Sequence, residues 1–299
     1  MQVISRKLEE KIFIALSTGA AILTSIILIL IIGSIAISAI PSLNPYFLTT
    51  PENETPGFNQ GIANAIIGSI YLSLLSVIIA TPLAVGTAIY LKKYTLENTF
   101  TKVIRFFIDV LSGTPSIVLG IFGLFFLVYY LKPVLGGFTL LTGSIALAIL
   151  ILPVIERSTE EALSTVPKEL EDGSYALGAK EWDTIKNITI PYAISGIVTG
   201  MILGIGRAAE ESAVVMLTAG YTQFMPEYGI EQSNKMLFGL KILPLNDLVA
   251  SLPITVYHSY EFSTKVPISN AFASAFVLIL IVMIINLVAR LIIGRWKIG

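Results

Sequence analysis

Cysteine is absent from the 299-residue chain, which excludes disulfides, thiolate nucleophiles and cysteine-ligated metal centres. Histidine occurs once, at His258; lying between apolar runs in a segment expected to be an external loop, it reads as a surface residue rather than a ligand. Charge is scarce: 13% of residues are Asp, Glu, Lys or Arg, against about 25% in soluble domains. The net charge is −1, so there is no basic footprint for nucleic acid. No Gly-x-x-x-x-Gly-Lys-[Ser/Thr] loop, Gly-x-Gly-x-x-Gly turn, nucleophile–histidine pair or metal-ligand cluster occurs. The expectation is a chain that is not an enzyme, binds no cofactor and leaves any use of ATP to another subunit.

What the chain has in abundance is apolar length. No charged residue occurs from 12 to 51, and none from 55 to 91. Apolar runs beyond about 18 residues read as membrane helices, because about 20 residues at 1.5 Å each cross the hydrocarbon. The runs predict an all-α integral membrane protein with six transmembrane helices, over 12–40, 62–91, 103–131, 134–155, 192–219 and 271–293. The first run resembles a signal peptide in its flanking Arg6, Lys7 and Lys11, but it far exceeds the usual 7–15-residue apolar core and reads as a retained span. With both termini in the cytoplasm, inside segments hold 14 Lys and Arg and outside segments four, Lys132, Lys235, Lys241 and Lys265, which fixes the orientation. Outside lie a loop near 41–60 and a longer one near 220–270, in which 245–260 reads as a helix or re-entrant piece over the external mouth. The organisation expected is a tail, first span and loop (1–60), a permease domain (61–290) and a cytoplasmic tail (291–299).

A polar island interrupts this pattern. Residues 156–191 hold 12 of the chain's 39 charged residues and face the cytoplasm. Thr165 and Pro167 suit a helix start, and Glu169, Glu171 and Asp172 then fall where the helix dipole favours acids. Leu170, Gly173, Ser174 and Leu177 share one face, large at its ends and small in its middle. Gly178 suits a left-handed helix stop. Trp182, Ile185 and Ile188 begin a second helix that leads to Pro191 and the next span. Two readings fit: a docking element for a motor subunit, or an amphipathic loop lying on the membrane surface.

These residues carry a resemblance. Asp172-Gly173-Ser174, then Gly178, then Ile188-x-Ile190-Pro191 resemble the Glu-Ala-Ala loop of ABC importer permeases, with Asp172 for Glu, Gly173 and Ser174 for the alanines, and Ile190 for Leu. Asp109-Val110-Leu111-Ser112-Gly113-Thr114-Pro115-Ser116, Gly206-Arg207-Ala208-Ala209-Glu210-Glu211-Ser212 and Ala250-Ser251-Leu252-Pro253-Ile254-Thr255-Val256-Tyr257 resemble the phosphate-specific members, their A-type subunit more than the C-type. After the arginine the family pattern is Ala-x-Gly-Glu-Thr-Ala-Pro, so Glu210, Ser212 and Val214 depart from it. The resemblance implies a type-1 ABC importer permease fold of the MetI-like kind. It also implies an ATP-binding subunit dimer docked at 156–191, a second permease subunit of C type, an external phosphate-binding protein and surrounding lipid as partners. Coupling falls to Asp172, Gly173, Ser174 and Gly178. The C-type role, or sulfate or molybdate as cargo, stays open beside phosphate.

Arg207 lies 16 residues beyond Pro191, about 24 Å along a helix and so deep in the bilayer. A charge there costs about 2.5–3.5 kcal/mol on insertion scales. Glu210 and Glu211, at i+3 and i+4, can each pair with it. Beside them Gly196, Gly200, Gly204, Ala208 and Ser212 form a small-residue ridge that admits a close second helix, expected here to belong to a partner subunit. Arg207, Glu211 and Glu210 are therefore candidates for the substrate pathway, with Arg207 as a forked donor to an oxyanion. The competing reading is a structural ion pair. With both acids ionised the cluster sums to −1, which calls for a protonated glutamate or a positive group from a partner. An ion-gradient-driven carrier that uses this cluster is the third reading, and it leaves the 156–191 island unexplained.

Overall fold

The computed structural model describes residues 2–57, 60–95, 98–232, 240–262 and 264–295. Lys235 and Lys297, counted in the charge bias above, and residues 296–299 of the expected tail lie outside them. Helix α1 spans Gln2–Ala39 and is followed by the short α2, Pro45–Thr49. Helix α3, Ala63–Ile89, continues through a π-helical turn, Tyr90–Tyr94. Next come α4, Thr99–Gly113, and α5, Ser116–Gly123, the latter prolonged by a π-helical stretch, Leu124–Tyr130. The one-turn α6, Lys132–Leu135, precedes α7, Leu140–Ser164. Helices α8, Lys168–Ala176, and α9, Glu181–Thr184, form the connection to α10, Ile190–Ala209, which α9 enters through a π-helical turn, Ile185–Thr189. The chain closes with α11, Ala213–Thr218, strands β1, Gly229–Gln232, and β2, Leu240–Leu243, then α12, Leu252–Glu261, and α13, Ile268–Arg295. The strands pair antiparallel with Gly229 opposite Leu243, a small exception to the all-α expectation. One end of the bundle carries α8 and α9 (the charged end), the other α2, the hairpin and α12 (the hairpin end).

Among the described residues five helices are long and apolar enough to cross a membrane: Glu10–Ala39, Ala63–Tyr94, Leu140–Ser164, Glu181–Ala209 and Ile268–Val288. The third predicted span, 103–131, is not one straight helix. Its two halves, α4 and α5 with its π-helical extension, meet at 104°, and only together do they make a sixth crossing. The cause is local. Thr114 precedes a proline and takes an extended conformation, ψ 129°, because the proline ring disfavours helix at the preceding residue. Charge then decides where α4 lies. Arg105 makes two hydrogen bonds to Glu160, 2.9 and 2.7 Å, and Arg157 pairs with Asp109 at 2.7 Å, so α4 is held across the end of α7.

Two further boundaries differ from expectation. The fourth span begins at Leu140 rather than 134 and runs on to Ser164, absorbing the first part of the 156–191 island. The fifth, predicted unbroken over 192–219, stops at Ala209 and restarts as α11.

Helix α7 is the centre of the bundle. Leu147, Ile151 and Ile155 are buried against Leu72, Ala80 and Ala84 of α3 and Val214 of α11. Towards the charged end, Ala162 and Leu163 join Ala88 and Ile89 of α3 with Ile185 and Ile197. In lipid no hydrophobic force pulls helices together, so association rests on close packing and hydrogen bonds. The small-residue ridge supplies that packing, but not to a partner subunit: it lies on α7 of the same chain. A Cβ at Gly196 would overlap that of Ala162, one at Gly200 would sit 2.8 Å from Ser158 Cβ, and one at Gly204 3.1 Å from Ile155 Cδ1. Ser158 Oγ also donates to the Gly196 carbonyl at 3.0 Å. Replacing Gly196 by Val should therefore lower stability by about 1–3 kcal/mol through overpacking. Gly173→Ala, at a site with open space, should cost far less; matched melting of the two purified variants would contradict this packing.

Candidate functional site

Beyond the end of α7, the 156–191 island resolves into a helix–glycine–helix element made of α8, a turn at Gly178 and α9. Pro167 precedes the first turn of α8, whose Glu169 and Glu171 face the helix-dipole charge that favours them. The helix ends where predicted. Gly178 has φ +85°, its N–H reaches the Tyr175 carbonyl at 2.9 Å, and Ala179 N–H reaches that of Ser174 at 3.2 Å, the paired bonds of a Schellman stop. No residue of α8 is buried. Leu170 is 45% and Leu177 91% exposed, and nothing lies within 4 Å of a Cβ placed on Gly173. The large–small–large face is uncovered, and Asp172 beside it is exposed. Ser174 turns inward to meet Thr184 Oγ1 at 2.9 Å.

One residue that the sequence did not single out as special ties this element to the membrane helices. Glu171 Oε1 accepts from Lys93 Nζ, at the end of α3, and from Thr189 Oγ1, at the start of α10, both at 2.6 Å. The Lys93 and Glu171 side chains are only 17% and 14% exposed, so the pair is worth more than a solvent-screened bridge. Burial by itself would raise the Glu171 carboxyl, but the Lys93 and Thr189 hydrogen bonds and the Lys93 and Lys168 charges outweigh it and hold the carboxyl below its ordinary value. Local periodicity carries no trace of a contact 78 residues apart.

The second site lies where the fifth span breaks. Arg207 sits in the last turn of α10, where helix carbonyls favour a cation. Its Nη2 pairs with Glu211 Oε2 at 3.4 Å, and Glu211 is 5% exposed while Arg207 is 48% exposed. The other Glu211 oxygen accepts from the backbone N–H of Ala213 at 3.1 Å and Val214 at 3.4 Å, so one carboxylate both restarts the helix as α11 and holds Arg207. Glu210 is exposed and makes no ion pair with Arg207 in the described residues. Of the two acids that could pair, the fold brings Glu211 to Arg207 and turns Glu210 away. Backbone outside regular helix is tolerated at membrane depth only where protein covers it or water reaches it. A cavity of about 300 Å³ opens beside the break, lined by Ser212, Ala213, Met216, Ile117 and Tyr257.

At the hairpin end the structure corrects the reading of His258. It lies within α12, half-buried, with its ring edge-on to Tyr221 at 4.7 Å. Burial pushes the imidazole below its usual value, against the pull of Glu261 and Glu52. Tyr221 donates to the buried Glu52, which also accepts from Gln223 Nε2 at 3.3 Å. Burial first, and Glu52 second, raise the Tyr221 phenol. The 41–60 loop is therefore anchored to the chain after α11 by a carboxylate that sequence pattern alone leaves anonymous.

Because the Glu171 carboxyl is depressed in the fold, its contribution is complete above the ordinary carboxylate value near about 4.3 and fades as pH falls through the folded value. Wild type should exceed Glu171→Gln in melting temperature at about pH 7, and the gap should narrow progressively as pH falls below about 4.3. A gap that does not change with pH would show that the carboxylate charge contributes nothing.

Comparison with known proteins follows the same lines. Residues 80–296 match the family described as "Binding-protein-dependent transport system inner membrane component". The chain is 33% identical over 290 residues to the "Probable ABC transporter permease protein YqgI" of Bacillus subtilis (strain 168), covering 96% of this chain and 95% of that one. It is 32% identical over 295 residues to the "Phosphate transport system permease protein PstA" of Yersinia pestis, covering 98% and 92%. Among solved structures, one of a bacterial alginate ABC transporter in complex with a pentasaccharide-bound periplasmic protein superposes with a TM-score of 0.60 at 14% identity, over 94% of this chain and 95% of that one. The fold is that of type-1 ABC importer permeases, and the chain belongs to the family of binding-protein-dependent transport system inner membrane components.

Proposed function

We propose that this multi-pass permease subunit carries inorganic phosphate across the cell membrane, driven by ATP hydrolysis on a separate pair of subunits docked at α8. The observation that supports the coupling most is α8 itself: an uncovered helix, closed by a left-handed glycine and tied through Glu171 to both α3 and α10. A push on α8 then reaches two membrane helices through one carboxylate. In this reading the charged end faces the cytoplasm, as the lysine and arginine bias favours. The hairpin end receives cargo from an external binding protein.

Phosphate as cargo is supported by the near full-length similarity to PstA proteins and by Arg207 beside the break in the fifth span. Arg207 uses one nitrogen on Glu211 and remains half-exposed, available to an oxyanion. With Glu210 and Glu211 ionised the site lacks positive charge, and a second, C-type permease subunit facing this break is proposed to supply it. The departures at Glu210, Ser212 and Val214 favour a second reading, a different tetrahedral oxyanion such as sulfate or molybdate. Phosphate- and sulfate-stimulated ATPase of the reconstituted complex separates the two.

Gly178→Leu strains a residue held at φ +85° and should uncouple ATP hydrolysis from uptake or block assembly, while membrane insertion persists. Normal uptake by that variant would remove the docking role.

Arg207→Lys keeps the charge and loses the fork, and should lower uptake about 10–100-fold if one charge-assisted hydrogen bond is lost. Glu211→Gln should impair uptake by weakening both the Arg207 pair and the start of α11, whereas Glu210→Gly should leave it near wild type. Uptake at matched expression is the measurement, and the opposite ranking would make Glu210 the working acid.

A further inference from the structure

At the charged end, outside both sites above, lies a cavity of about 550 Å³ between the π-helical end of α3, the first turn of α8 and α4. That volume falls within the range of about 300–1,000 Å³ typical of small-ligand sites. Its floor is apolar, made by the buried Leu91, Leu163 and Val166, and its walls carry Lys92, Lys93, Arg105 and Lys168. Glu171 is the only acid among the lining residues. It is already engaged by Lys93 at 2.6 Å, and the Arg105 fork is held by Glu160 at 2.7 Å. After those two pairs, Lys92 and Lys168 remain. Both are exposed, and neither is in an ion pair among the described residues. Tyr175 lines the same cavity, and burial followed by the surrounding acids raises its phenol, so the hydroxyl stays a donor. The cavity thus keeps two lysines outside any ion pair, Lys92 and Lys168, the latter also acting at longer range on Glu171, and a hydroxyl donor above an apolar floor.

The position adds to the chemistry. Phe100, Val103, Phe106 and Phe107 of α4 are all exposed beside this end, as on a helix that rests on a membrane surface. Basic cavities between membrane helices at that surface take phosphate-bearing head groups. We infer that this cavity is a binding site for a phosphate-group anion, which bridges Lys92 on α3 and Lys168 on α8 and so clips the docking element to the bundle. Two sources offer that group: the head group of an anionic phospholipid, or inorganic phosphate in the solution bathing the charged end. The inference names a regulatory ligand for the docking element, and its importance for transport rests on the function proposed above. Occupancy itself does not.

Binding is therefore read on the purified full chain without nucleotide. Phosphatidylglycerol binding is followed by native mass spectrometry, and inorganic phosphate binding by equilibrium dialysis with radiolabelled phosphate. Each lysine near an anion is worth about a fivefold gain in affinity, so Lys92→Gln with Lys168→Gln should weaken binding about 30-fold. Lys92→Arg with Lys168→Arg, which keeps both charges, should bind within about threefold of wild type. Loss confined to phosphatidylglycerol identifies the head group as the occupant, and loss confined to phosphate identifies the free anion. Equal affinity of wild type and the glutamine variant for both probes overturns the site. Comparable melting of the glutamine and arginine variants excludes misfolding as the cause of any loss. A failure here leaves the importer reading intact. An Arg207→Lys variant that loses uptake but still binds at this cavity would keep the two apart.

Discussion

The close approach of α10 to α7 is the contact on which the rest of the structure depends. Inside lipid the helices gain nothing from hiding apolar surface, so they are held by what their backbones allow them to touch. Gly196, Gly200 and Gly204 let α10 settle onto Ala162, Ser158 and Ile155. That contact fixes the rotation of α10, which turns Arg207 away from α7 towards open surface. It also brings the start of α10 beside the end of α3, so that Lys93 and Thr189 converge on a single carboxylate of α8.

The cost of leaving charge unpaired in or near hydrocarbon arranges the remaining elements. Beyond the bend set by Thr114 and Pro115, helix α4 lies across the end of α7, where Arg105 and Asp109 meet Glu160 and Arg157. At the break in the fifth span, Glu211 meets two needs with two oxygens. One satisfies the first N–H groups of α11, and the other balances the Arg207 charge. At the hairpin end the buried Glu52 is accommodated by Tyr221 and Gln223. At the end of α7 and at the hairpin end a carboxylate joins segments distant in the chain, whereas Glu211 joins the two helices that flank it in sequence.

What the importer reading gains from the structure is a mechanical route. The element made of α8, the glycine turn and α9 is internally braced: Schellman bonds close α8, Ser174 and Thr184 join its two helices, and Glu171 ties it to α3 and α10. Its outer face, from Leu170 to Leu177, is left uncovered. A rigid lever with a bare face suits transmission better than a flexible tether, because displacement at the face is not absorbed within the element.

The sequence by itself determined that the chain is a multi-span membrane protein, the approximate place of its apolar runs, the polar island, the glycine stop at Gly178 and the spacing that lets Arg207 meet Glu210 or Glu211. Each depends on composition or on spacing along one helix, which chain order preserves. Only the tertiary structure decided that the 103–131 run folds at 104°, that the glycine ridge packs on the chain's own α7, that His258 is half-buried, and that Glu171 and Glu52 each tie separate segments together. Those outcomes turn on which side chains meet across dozens of residues. Helical periodicity says which face a residue occupies, but it carries no information about what stands opposite that face.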